Sequence, residues 1–252
     1  MKKIRKLECN RFHGQYAYFC PYKKCKKHFL FFCPTLFLQT SADKKKVKKV
    51  FVFFLLASSL YGGSERFYDL VVSNALSLQG RYSFPARDGK RFTSDCIGFV
   101  RYVYYLSGID LIEVYGNGRG GVSSLYDGLL KRRFVYTNIL PVSKGDLIFF
   151  DNTYDVNRNG RWDDPLSHVA IVIDVDKHGT ITYIHHSPRK GVGLDYLNLR
   201  YPQTYAFRMK DGSLKVINSY LRINRGENLS RENYISSTFF RAFAHIPVKE
   251  VE

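Results

Sequence analysis

The sequence predicts an α+β domain in which helices come first and an antiparallel sheet follows. Three observations carry this. Apolar residues recur at three- and four-residue steps over 67–78 and again after Cys96, the helical period. Three strand-like runs come later, Asp146–Phe150, Val169–Val175 and Thr180–His185, rich in β-branched residues or alternating in polarity. Lys177-His178-Gly179 between the last two is a short hairpin connection, so those strands should pair antiparallel.

The first helix rests on Phe67, Leu70, Val71, Ala75 and Leu78 and stops at Gly80. Residues 81–93, with Pro85, Gly89 and mixed charge, read as a loop. Thr93 or Ser94 is expected to cap the second helix. Its buried stripe is Ile97, Val100, Val103 and Tyr104, and Gly108 ends it. Glycines at 116, 118, 120 and 121 mark a flexible stretch before a short helix over 123–130. In the last 50 residues one apolar run, Phe239 to Val248, reads as a closing strand. The chain shows no internal repeat and no heptad pattern.

A hydrophobic content of 45% and an aromatic content of 16% suit a packed globular protein. The net charge of +17 resembles a nucleic-acid signal, but its placement argues against one. Residues 1–63 carry 14 Lys/Arg against 2 Asp/Glu; the remainder carries 25 against 20, a net of only +5 with no basic stripe to track phosphates. A mildly basic body suits an anionic polymer. The cysteines are equally uneven: Cys9, Cys20, Cys25 and Cys33 fall early, and only Cys96 follows. A lone thiol in the body has no disulfide partner there, so it is a small buried hydrophobe or a reactive group.

Lys44 to Lys49 is basic, and Val50 to Tyr61 is a twelve-residue run without charge, ending among the small residues Ala57, Ser58, Ser59, Gly62 and Gly63. This is the pattern of a signal peptide over 44–63, too short for a membrane span of roughly 20 residues. Because signals begin chains, residues 1–43 are expected to be a non-native upstream segment, with translation starting later, as at the codon for Val47. Cys20, Cys25, His28 and Cys33 are metal-ligand types, but C-x4-C-x2-H-x4-C is not a common zinc spacing. No lipid-attachment cysteine follows the apolar run, so export without a stable membrane anchor is expected. The domain proper is 64–252.

Cys96 sits in the first turn of its helix, where free N–H groups and the helix dipole favour a thiolate. A cysteine hydrolase also needs a base in reach and a group that orients the base. His168 opens one strand of the hairpin and His185 closes the other. Pairing about 177–179 places them nearly opposite, with an offset of two residues for a longer turn or a bulge to absorb. These are the parts of a Cys-His-His site, which requires no cofactor for its chemistry. His185 and His186 point to opposite faces, so only one of them can serve.

Asp155-Val-Asn157-Arg-Asn159-Gly160 fits the first half of a calcium loop, with Asp163 or Asp164 as a late carboxylate and Asp151 as a further donor. Leu166 stands where the usual twelfth-position Glu would be. A structural calcium held by Asp155, Asn157, Asn159 and Asp164 would fix the strand that begins at His168.

Four segments, in order, resemble the NlpC-type peptidoglycan cysteine peptidases. Asp95-Cys96-Ile97-Gly98-Phe99-Val100 is similar to their D-C-S-G-F-V signature, and Gly145-Asp146-Leu147-Ile148-Phe149-Phe150 to their G-D-L-x-F-F strand. His168-Val169-Ala170-Ile171 resembles their base-bearing strand, and Tyr183-Ile184-His185-His186 the segment that supplies the third polar residue. Gly80-Arg81-Tyr82 resembles their G-x-P-Y element. The resemblance implies a papain-like fold, with an N-terminal nucleophile helix packed on a small antiparallel sheet. It implies hydrolysis of amide bonds in peptidoglycan stem peptides by a monomer in the periplasm or cell wall of a bacterium. It favours His185 over His186, and it places Tyr82 beside the nucleophile. Asp95 reads as a helix-start acid, grouped with Tyr82 on the substrate side. Ile97 departs from the usual Ser, and a Tyr-x-Trp-Gly-Gly element is largely missing, which leaves the exact substrate open. The related CHAP amidases share the Cys-then-His logic. The alternative reading is a non-catalytic or redirected domain that binds wall fragments or acts on another acyl compound.

Overall fold

Residues 64–116, 121–139, 142–222 and 234–248 are described by a computed structural model. The upstream segment, the signal peptide and the Cys20/Cys25/His28/Cys33 group lie outside these residues.

Helix α1 covers residues 64–77, α2 Cys96–Leu106, α3 Leu111–Tyr115 and α4 Gly121–Lys131. The strands are β1 Val135–Tyr136, β2 Leu147–Phe150, β3 His168–Val175, β4 Ile181–Ser187, β5 Gly191–Leu197, β6 Ala206–Arg208, β7 Leu214–Val216 and, after the short helix α5 (Ser236–Phe239), β8 Phe240–Ala244. One six-stranded antiparallel sheet has the order β1-β8-β2-β3-β4-β5; β6 and β7 form a separate hairpin. The α+β class and the helices-then-sheet order stand as the sequence predicts.

Both faces of the sheet are covered, which explains why β2 and β3 read as nearly continuous apolar runs. Leu147, Phe149, Val169, Ile171 and Ile184 face the helices and pack with Val100, Val103 and Leu125. Ile148, Phe150, Ala170, Val172 and Tyr183 face the other way and pack with Leu197, Phe239 and Phe243. The predicted closing strand is therefore interior: β8 pairs with β1 on one side and β2 on the other.

Helix α2 starts one or two residues later than the expected caps imply. Asp95, not Thr93 or Ser94, is the N-cap; its Oδ1 accepts from the Gly98 N–H at 2.8 Å and from the Thr93 hydroxyl at 2.6 Å. Gly98 is required by this turn, since a Cβ there would sit 1.8 Å from the Thr93 carbonyl oxygen. The expected stripe, Ile97, Val100, Val103 and Tyr104, is buried.

Candidate active site

Helix α2 delivers Cys96, the first residue of β3 is His168, and β4 carries His185. All three line one cleft of about 450 Å³, together with Asp95, Thr153, Tyr154, Asp155, Asp195 and Arg222. The hairpin register differs from the expectation. Ile171 pairs with Ile184, and continuing that register sets His185 level with Ala170, two residues from His168. The bulge between Val172 and Asp174 does not remove the offset. The histidines still share a face because side chains alternate with period two, and they meet as a diagonal pair. His168 Nε2 lies 2.7 Å from His185 Nδ1, with the rings edge to face.

Burial holds the His168 ring well below its ordinary value, with His185 and His186 adding to the effect, so it rests as a neutral base. Burial also pushes the Cys96 thiol up to about 12, and the Asp95 carboxylate acts in the same direction. Backbone N–H groups of Val169, Ile97 and Cys96 oppose this without overcoming it. Burial thus works against the thiolate that the helix start favours.

His185 Nε2 lies 3.0 Å from Asp195 Oδ2. Sequence reasoning missed Asp195, since it sits on a strand, β5, that was not foreseen. Gly191 to Leu197 alternates weakly, and its partner is fixed by pairing rather than by its own pattern.

His186 faces the opposite side. It is buried against Phe84, and its Nε2 lies 3.0 Å from the Tyr82 carbonyl oxygen, so it ties down the loop before α2. Tyr82 itself is 56% exposed, and its hydroxyl is 3.5 Å from the Arg189 carbonyl at the rim. Tyr154 and Tyr220, not Tyr82, are the tyrosines that line the cleft with Cys96. Asp95 lines the cleft while its Oδ1 caps α2.

The 155–164 loop is closed at its neck by Asn152 N–H to the Asp164 carbonyl, 2.8 Å, and by Thr153 N–H to the Ser167 hydroxyl, 2.8 Å, immediately before His168. Asp155 accepts from the N–H groups of Asn159 and Gly160. The amides of Asn157 and Asn159 donate to Asp163, whose carboxyl they hold below the usual range. Asp164 is buried, and its Oδ2 has no protein partner among the described residues. Among those residues no three His, Cys, Asp or Glu side chains cluster closely enough to hold a metal, so an ion here would depend on the asparagine amides as well.

Helices ahead of an antiparallel sheet, with a helix-mouth cysteine and two strand histidines lining one cleft, make a papain-like α+β fold. The chain belongs to the NlpC/P60 family: residues 79–211, just over half of it, match that family's sequence model. The family comprises cysteine peptidases and amidases that act on peptidoglycan. Among solved structures, the chain is similar to a Staphylococcus aureus protein described as similar to a lipoprotein of the NLP/P60 family, with 24% identity and a TM-score of 0.33. That likeness covers 51% of this chain and 36% of the other, so this chain spans about a third of that protein's length. No curated protein matches the chain. Among the described residues no helix is long and apolar enough to cross a membrane.

Proposed function

We propose that the chain is an exported cysteine hydrolase that cuts amide bonds in peptidoglycan stem peptides, with Cys96 as nucleophile, His168 as base and His185 as the group that orients His168. The observation that carries this reading is the 2.7 Å contact between the two rings in the cleft that Cys96 lines. His168 takes the thiol proton as sulfur attacks the scissile carbonyl. N–H groups of Cys96 and Ile97, which have no acceptor within the helix, stabilise the oxyanion. His168 then gives the proton to the leaving amine, and water, deprotonated by the same ring, hydrolyses the thioester.

The cleft sets Asp95 and Asp155 among Arg189, Lys190 and Arg222, a mixed lining suited to a peptide bearing both amine and carboxylate groups. We assign Asp95 and Tyr82 to substrate contact, Asp95 within the cleft and Tyr82 at its rim. Residues 44–63 act as the export signal in this reading, and the 64–252 domain works as a monomer without a membrane anchor. The test is digestion of purified peptidoglycan with mass analysis of the fragments. New amine and carboxyl ends within stem peptides are expected; intact peptidoglycan after incubation with the reduced protein would refute the reading.

A structural calcium in the 155–164 loop is a separate proposal. Its support is the sequence pattern and the buried Asp164 Oδ2 without a protein partner. An ion would turn the Asn157 and Asn159 amides so that their oxygens face it.

A further inference from the structure

We propose that Asp195 is a positioning residue that sets the tautomers of both active-site histidines, making the site a four-membered chain of Asp195, His185, His168 and Cys96. The inference rests on the catalytic reading above and extends it to a residue that reading does not use. Strand pairing delivers Asp195 by a diagonal route. In the β4–β5 register Asp195 faces Tyr183, and His185 faces Gly193. The position directly across from His185 thus has no side chain, and the carboxylate two residues along the same face reaches the ring. The contact is sheltered: the His185 side chain is 8% exposed and that of Asp195 22%.

The hydrogen-bond logic runs in one direction. A carboxylate accepts and does not donate, so the 3.0 Å contact requires the proton on His185 Nε2. A neutral His185 then presents a lone pair at Nδ1. The 2.7 Å contact is therefore made by His168 Nε2–H donating to His185 Nδ1. The nitrogen left for the thiol is His168 Nδ1, unprotonated and able to accept. Without the carboxylate, His185 is free to carry its proton on Nδ1. His168 would then accept at Nε2 and carry its own proton on Nδ1, the nitrogen that must take the thiol proton. One carboxylate thus fixes the reacting end of the chain through two rings. The groups facing these rings are Cys96 from α2, His168 from β3, Tyr183 from β4 and Asp195 from β5, with His186 acting electrostatically on His168 from the opposite side; Arg189, Lys190 and Arg222 share the cleft.

The experiment is imidazole ¹⁵N NMR on the wild-type protein and on Asp195→Asn, with peptidoglycan hydrolysis measured across pH on both. Wild type should show protons on Nε2 of His168 and His185. Asp195→Asn can donate to His185 Nε2 through its amide. It should therefore shift His185 toward the Nδ1–H form and lower kcat by about 10–100-fold with little change in KM. Asp195→Glu, which keeps the carboxylate, should recover part of the loss. A wild-type spectrum with the proton on His185 Nδ1 overturns the proposal, whether or not any variant folds. So does an Asp195→Asn protein with wild-type kcat and pH profile while Cys96→Ser is inactive. Hydrolysis that survives Cys96→Ser would instead sink the catalytic reading, and the NMR result would still decide the tautomers.

Discussion

Two histidine–carboxylate pairs among the described residues, one on the sheet and one flanking it, are built in opposite senses. At the cleft, His185 is buried and its partner Asp195 is the more exposed member. At the β2 end, Asp146 is fully buried, and the side chain of its partner His245 is 45% exposed. The second nitrogens differ as well. His185 passes its other contact to His168, which lines the cleft. His245 Nδ1 meets Asp146 at 2.8 Å and its Nε2 meets the Tyr68 hydroxyl at 3.0 Å, and that hydroxyl donates onward to the Ile246 carbonyl at 2.8 Å. Asp146 also accepts from the Tyr136 hydroxyl and the Ser143 N–H. One network ends on His168, in the cleft that Cys96 also lines. The other closes on backbone and hydroxyl groups and joins the segment after β8 to the start of β2. An Asp–His pair is thus not itself a mark of catalysis; what matters is whether the chain of hydrogen bonds terminates or leaves a valence available.

Substitutions at the two pairs should separate cleanly. The largest effect is expected from Cys96→Ala, which should cut hydrolysis by at least about 10⁴-fold while the melting temperature stays near wild type, since the thiol alone supplies the nucleophile. His168→Ala should follow at about 10³–10⁴-fold and His185→Ala at about 10²-fold, because an orienting group contributes less than the base it orients. Peptidoglycan digestion assays on these variants, paired with thermal melts, check the order. If His186→Ala were the damaging change, the wrong face of β4 has been assigned.

The closed network should respond in the other currency. Asp146→Ala strands the part-buried Tyr136 hydroxyl and should lower stability by about 1–3 kcal/mol. Specific activity of the folded fraction should stay unchanged. A denaturant titration alongside an active-site thiol count distinguishes the two; lost activity in fully folded Asp146→Ala protein would dissolve the contrast.

A smaller effect follows from the depressed basicity of His168. Its folded state resists protonation by burial, whereas the unfolded chain takes up a proton near the ordinary value of 6.5. The unfolded state therefore binds more protons as pH falls below 6.5. The contribution of this group to stability is full above that pH and is lost progressively below it. Melting curves from pH 8 to 5 should show this slope, and His168→Gln should flatten it. An unchanged slope in His168→Gln would place the titration elsewhere. Smallest of all is the expected effect of chelation: if the 155–164 loop holds calcium, removing it should lower the melting temperature, and added calcium should restore it by mass action. Asp155→Ala should abolish that response; a wild-type melt indifferent to chelator would leave an ordinary polar turn.

Much of this site was legible in the order of residues along the chain. Asp95-Cys96-Ile97-Gly98, the Gly145–Phe150 strand and His168 announce themselves because each depends on local chemistry: a helix start, a turn followed by an apolar run, a polar residue opening a buried strand. The Thr93/Ser94 cap was misplaced by one or two residues because three adjacent side chains can all cap, and only the backbone path selects Asp95. Asp195 was not legible, since its strand has little pattern of its own and its importance comes from two successive strand pairings.

What the sequence by itself determined is the α+β class and the distribution of charge that sets the basic first 63 residues apart from the body; it also singled out Cys96, His168 and His185, which share one cleft. These follow from periodicity and from residue chemistry, which act over a few neighbours. Only the tertiary structure decided that burial works against the Cys96 thiolate, that the two histidines meet diagonally, that Tyr154 and Tyr220 rather than Tyr82 line the cleft, and that Asp195 meets His185. Each of these depends on desolvation or on side chains from different strands. Both are properties of what packs against a residue, and neither is encoded in its neighbours along the chain.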